Sequence, residues 1–167
     1  MRWWGLAKLA YAFKRMHMSS RPISIEDIRP RTQQVDDKPD GFWYACGTEW
    51  IDYVNMEYQS GRGDYLYEVS LEESRMLRIT NESEFDNFEA EYGVEIKYPR
   101  MTQLEIDWPQ VAERHGGIEI CPLIRSRRRR PWYWSWSIAS GCVWAPGTIT
   151  GLEEFKSSSV EDKPEGE

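Results

Sequence analysis

The stretch KPDGFWYACGTEWID, residues 38–52, sets the tightest limit on what this chain folds into. Pro39, Asp40 and Gly41 make a turn, and Phe42, Trp43, Tyr44, Ala45 and Cys46 follow as a short run with strong strand preference. Gly47 and Thr48 then lead into a helix-like segment, 49–58, in which Trp50, Ile51, Tyr53 and Val54 fall near helical spacing. Aromatic rings this dense beside Ala45, Cys46 and Gly47 suit either a core strand or a groove in which a flat ring lies close to backbone. The partners of this strand decide between the two.

The chain has 167 residues, enough for one domain with one core. Nine tryptophans and a hydrophobic share of 40% make aromatic surface the main source of burial and argue against disorder in the body of the chain. A net charge of −7 argues against coating nucleic acid by bulk electrostatics, so the placement of charge matters more than its total. Cys46, Cys121 and Cys142 are too few and too irregular for a disulfide framework, and they lack zinc spacing. A reducing cytosol is the expected setting, with no metal. Residues 1–15 carry an apolar stripe interrupted by Lys8. They read as an amphipathic extension, either a short helix or a segment upstream of a start at Met16 or Met18, and not as a signal peptide or a membrane span. No other stretch resembles a membrane span.

A body over residues 16–156 is expected to hold the domain. It opens with an extended stretch at 14–20, then one turn of helix capped by Ser24 and ended by Pro30. Residues 29–37 read as a loop and 60–64 as a flexible turn. Strands are expected at 65–71, 75–79, 118–122, 132–138 and 140–144. Helices are expected over 82–92, with Asn81 as cap and Gly93 at the end, and from Asp107 to the Gly116-Gly117 pair. Residues 94–103 read as irregular, and the acidic tail 157–167 as disordered. Strands outnumber helices and no crossover repeat is present. The expected class is therefore α+β, a single domain with a mostly antiparallel, aromatic-rich sheet and a few short helices.

The chain has only two histidines. His115 follows a helix end, where an imidazolium favours the C-terminus, and reads as structural. His17 lies in His17-Met18-Ser19-Ser20, where a ring nitrogen and hydroxyls can fix polar parts of a ligand.

The order His-x-Ser-Ser, Gly-Phe-Trp-Tyr-Ala and a strand with a lone Glu resembles the ADP-ribosyltransferase fold of the His-Tyr-Glu type, found in poly(ADP-ribose) polymerases. The resemblance covers residues 17–144. It implies that His17 and Ser19 bind NAD, although Met18 stands where the family has glycine. It implies further that Trp43 or Tyr44 stacks on nicotinamide, Trp43 matching by position and Tyr44 by residue type, and that Glu119 is the catalytic carboxylate, stabilising positive charge on the ribose. Glu153 and Glu154 are the next candidates. The same pattern is similar to uncharacterised proteins of bacteria and their phages. The activity it implies is transfer of ADP-ribose from NAD to a protein or nucleic-acid acceptor in the cytoplasm.

Arg127, Arg128, Arg129 and Arg130 beside Trp132, Tyr133 and Trp134 point elsewhere. Interleaved arginines and aromatics hold phosphates and stack bases, and an arginine run is also often a solvated face. Within the enzyme reading the loop would grip the pyrophosphate of NAD or an acidic target. Without it, the chain would be a non-catalytic module that binds nucleic acid or a partner protein.

Overall fold

The computed structural model describes residues 14–47, 49 and 65–155. The extension 1–13, nearly all of the expected helix 49–58, the turn 60–64 and the acidic tail lie outside the described residues. The organising strand is β3 (Phe42–Cys46), which sits between β1 (Arg15–Ser19) and β9 (Ser140–Val143) in the middle of a seven-stranded sheet. Beyond β1 lie β4 (Tyr65–Leu71) and β10 (Ile149–Glu154), and beyond β9 lie β8 (Gly117–Ile120) and β5 (Met76–Ile79). Every pair in this sheet is antiparallel except β5 with β8. A second antiparallel sheet has the order β2 (Val35–Asp36), β7 (Met101–Asp107), β6 (Gly93–Tyr98). The expected α+β class is observed.

Local chemistry explains the helices. α1 (Glu82–Tyr92) starts where the Asn81 side chain accepts from the Glu84 N–H at 2.9 Å, and it ends at Gly93. Its buried Phe85, Phe88 and Tyr92 recur at helical spacing. α2 (Trp108–Ala112) starts at Asp107, whose side chain accepts from the Gln110 N–H at 3.1 Å, but it lasts only five residues. Ser24 caps a single 3₁₀ turn, Ile25–Asp27, as expected, and Asp27 completes a capping box with it.

Strand alternation gives the large sheet two unlike faces. On one, Ile79, Ile118, Ile120 and Trp144 pack under α1, α2 and Trp132, Tyr133 and Trp136. On the other, Tyr44, Val69, Leu71, Met76, Val143 and Ile149 form a second core.

Three expected elements differ. Residues 132–138 are not a strand but a series of turns, with Tyr133 and Trp134 N–H groups donating to the Arg130 carbonyl. The reason is that Trp132, Tyr133 and Trp136 all join the one core under α1, and a turning chain can send these rings to the same side where a strand would send neighbours to opposite faces. Phe85 stacks on Trp132 with centroids 4.9 Å apart, so these rings fill the space between α1 and the sheet. Residues 94–103, read as irregular, form most of the β6–β7 hairpin, and Val35 and Asp36 of the expected loop pair with β7. β10 was not anticipated, and it places Glu153 and Glu154 on the edge strand beside β4.

Candidate functional site

The strand register builds one polar row across the sheet. Tyr44 lies opposite Gly141, Gly141 opposite Glu119, and Glu119 opposite Arg78. Residues so aligned present their side chains to one face. Gly141 leaves room for the Tyr44 ring to lie across β9, and the Tyr44 hydroxyl donates to Glu119 Oε2 at 2.7 Å. Arg15, on the same face of β1, donates from Nε to Glu119 Oε2 at 2.5 Å, and Arg78 donates from Nη2 to Oε1 at 2.8 Å. Glu73 bridges the two guanidiniums from the exposed side.

Glu119 is buried, and its charge is fully engaged. Burial by itself raises its carboxyl pKa, but hydrogen bonds from Arg15 and Tyr44, the Arg15 charge and the bond from Arg78 outweigh that and hold it below the ordinary carboxylate range. For Tyr44 burial acts first, with the charge and hydrogen bond of Glu119 added, and all three push the phenol far above its usual value. Tyr44 therefore remains a protonated donor at ordinary pH. Two arginines and a tyrosine occupy the lone pairs that a catalytic carboxylate would offer.

Cys46 follows Tyr44 on the same face, and Cys121 follows Glu119. They are joined in a disulfide with Cα atoms 6.5 Å apart, within the range such a bond needs. The expectation that the cysteines stay unpaired is corrected: the link runs between the ends of β3 and β8, past the start of β9, and no local spacing reveals it. It also removes the cysteine-based ground for a reducing compartment. The two sulfurs and a Glu119 oxygen lie within 4.8 Å of one another, but sulfurs joined in a disulfide are not thiolate ligands for a metal.

A cavity of about 450 Å³ opens beside this row. Met16, His17 and Met18 of β1 form one wall, Trp43, Tyr44 and Lys38 a second, and the segment 136–140 a third. The Trp43 carbonyl lies 2.6 Å from His17 Nδ1, and since a carbonyl only accepts, Nδ1 carries the proton. Burial holds His17 below the ordinary imidazole value against that hydrogen bond. The ring is then neutral near pH 7, with Nε2 as an acceptor. Trp43 meets Trp136 edge-on with centroids 5.1 Å apart, and the Lys38 ammonium stands 5.4 Å from the Trp43 ring centre.

The fold thus brings some expected site residues together and separates others. His17, Trp43 and Tyr44 border one cavity. Register resolves the two aromatics: Tyr44 is turned onto Glu119 and only 3% exposed, while Trp43 lies on the opposite face of β3 with its indole on the cavity wall. Glu119 is not among the cavity's lining residues, and it is connected to the cavity through Tyr44. Ser19 closes on its own chain, donating to the Arg21 carbonyl at 2.6 Å. Lys38, Arg15, Arg78 and Trp136 were not singled out as site residues. Lys38 and Trp136 stand in stretches the sequence marks as aromatic, but only the tertiary fold makes them neighbours.

The basic run is not the freely solvated loop expected as the alternative. Arg127 makes two 2.8 Å bonds to Asp86, and Arg130 donates from Nε to Glu89 at 2.9 Å. Asp86 and Glu89 both lie on α1, which takes up half of the run. Arg129 remains exposed, Arg128 forms no ion pair among the described residues, and Trp134 is 71% exposed beside them.

No helix among the described residues is long and apolar enough to cross a membrane. No family model, curated protein or solved structure matches this chain.

Proposed function

We propose that the protein binds NAD in the cavity between His17 and Trp43 and transfers ADP-ribose from it to a macromolecular acceptor. The observation that carries this reading is the convergence of His17 and Trp43, distant in sequence, on one cavity of ligand size. Trp43 takes the role of the stacking ring, and the neutral His17 offers a fixed tautomer to the ribose or amide. In the reaction the bond from ribose C1′ to the nicotinamide nitrogen breaks and its electron pair leaves with nicotinamide. The acceptor nucleophile then bonds to C1′ and releases a proton.

Glu119 enters this reading indirectly. It does not line the cavity, and its part is to hold the Tyr44 hydroxyl, whose oxygen is polarised by donating to the carboxylate. The test pairs calorimetric titration of a non-hydrolysable NAD analogue with an assay for nicotinamide release. Binding that is lost in Trp43→Ala, together with nicotinamide release, supports it. Folded protein that fails to bind the analogue at millimolar concentration refutes it.

Trp134 with Arg128 and Arg129 favours a second reading, a surface for nucleic acid or an acidic partner. Its test is retention of single-stranded RNA or DNA across a salt series in Arg128→Gln/Arg129→Gln against the parent. Equal retention and equal salt slopes would dismiss it.

A further inference from the structure

We propose that the Trp43–Trp136 cavity recognises a flat aromatic ligand bearing an anionic oxygen group, with Lys38 selecting the anion. This rests on the cavity assigned above but not on transfer chemistry. Three observations carry it. First, the Lys38 ammonium is partly buried over Trp43 and forms no ion pair among the described residues. The charge of neighbouring Asp37 offsets part of the cost of taking this cation out of water, and a ligand anion beside it would offset more.

Second, Trp136 is a lining residue of the cavity and meets Trp43 edge-on, so two indoles border it. Third, although the chain carries a net charge of −7, no carboxylate among the described residues lines the cavity. Its walls combine a lysine, a neutral histidine, hydroxyls and rings, a positive and apolar enclosure within an acidic protein. Trp43 and Trp136, edge to face, supply the aromatic surface on which a planar ligand gains contact. A phosphate on a nucleoside, including one of the pair in NAD, and a carboxylate on an aromatic ring share this chemistry.

The experiment titrates the full chain with two matched pairs, adenosine 5′-monophosphate against adenosine and nicotinate against nicotinamide. Heat is followed by calorimetry, and indole N–H signals by NMR, with the Trp136 signal identified from its loss in Trp136→Phe. The expected result is that the anionic member of at least one pair binds on the order of tenfold tighter than its neutral partner. It should also move the Trp136 indole signal. Selectivity in the first pair identifies a phosphate site, and in the second a carboxylate site. Lys38→Gln should abolish the difference, and Lys38→Arg should retain it. Equal binding within both pairs, selectivity that survives Lys38→Gln, or no binding to folded protein overturns the proposal. Selective binding of the monophosphate with no nicotinamide release would overturn transfer and leave this inference standing. Release without anion selectivity would do the reverse.

Discussion

Gly141→Ala tests the polar row most directly. A Cβ on Gly141 would stand 2.2 Å from the Tyr44 hydroxyl oxygen and 2.3 Å from its ring carbon Cζ, where van der Waals contact needs roughly 3.5 Å. Tyr44 cannot remain across β9, so its 2.7 Å bond to the Glu119 carboxylate is lost. Losing a charge-assisted buried bond costs about 1.5–3 kcal/mol, and forcing a side chain into a filled core costs about 1–3 kcal/mol more. The expected loss is about 3–5 kcal/mol, a large share of the roughly 5–15 kcal/mol that stabilises a typical domain. The sign is informative because Gly141 does not have positive φ, and alanine in an ordinary strand position would stabilise by about 0.5–1 kcal/mol. Urea unfolding followed by tryptophan fluorescence measures the loss, and repeating it in a Tyr44→Ala background removes the obstructing ring. There Gly141→Ala should cost less than about 1 kcal/mol. A cost below about 1 kcal/mol in the parent, or equal costs in both backgrounds, would refute the packing argument.

Glu119→Gln leaves Arg15 and Arg78 sharing only Glu73, and should destabilise by about 2–4 kcal/mol, discounted because Arg78 is half exposed to water. Denaturant midpoints check this, and an unchanged midpoint would show that the carboxylate charge is not needed. Under the transfer reading, in which Glu119 acts only through Tyr44, the same variant should lower nicotinamide release while analogue binding by the folded protein stays near normal. Burial depresses the pKa values of both His17 and His115, so the unfolded chain takes up protons first as pH falls through 6.5. Stability should hold above that value and decline below it, with a further loss below 4.5, where the carboxyl takes up its proton in the unfolded chain before the depressed Glu119 does in the folded one. The double variant His17→Gln/His115→Gln should flatten the upper part of the decline in melting curves taken from pH 8 to 5. Breaking the Cys46–Cys121 link, which spans a sequence separation of 75, should cost up to about 4 kcal/mol by chain entropy. Comparing Cys46→Ser/Cys121→Ser with the parent, each with and without dithiothreitol, measures it, and a reductant-insensitive parent would count against the bond.

What the sequence determined was local. The turn at Pro39-Asp40-Gly41, the strand β3, the caps of α1 and α2 and the strand β4 follow from short-range chemistry: turn residues, side chains that accept from free N–H groups, and alternating or helical spacing. His17 and the pair Trp43 and Tyr44 were named through the order of short motifs that carries the resemblance, and all three border the cavity. The turns at 132–138 defeated the same reasoning, since alternating tryptophans imitate a strand until α1 demands that three neighbouring rings be buried together. Only tertiary structure decided the rest. Register across β3, β9, β8 and β5, fixed by long-range pairing, turned Tyr44 toward Glu119 and Trp43 toward the cavity. It also surrounded Glu119 with Arg15 and Arg78, brought Cys46 to Cys121, and left Lys38 without an ion-pair partner among the described residues. A shift of one residue in any of those pairings would exchange the faces and dismantle the row, and no run of neighbouring residues encodes that choice.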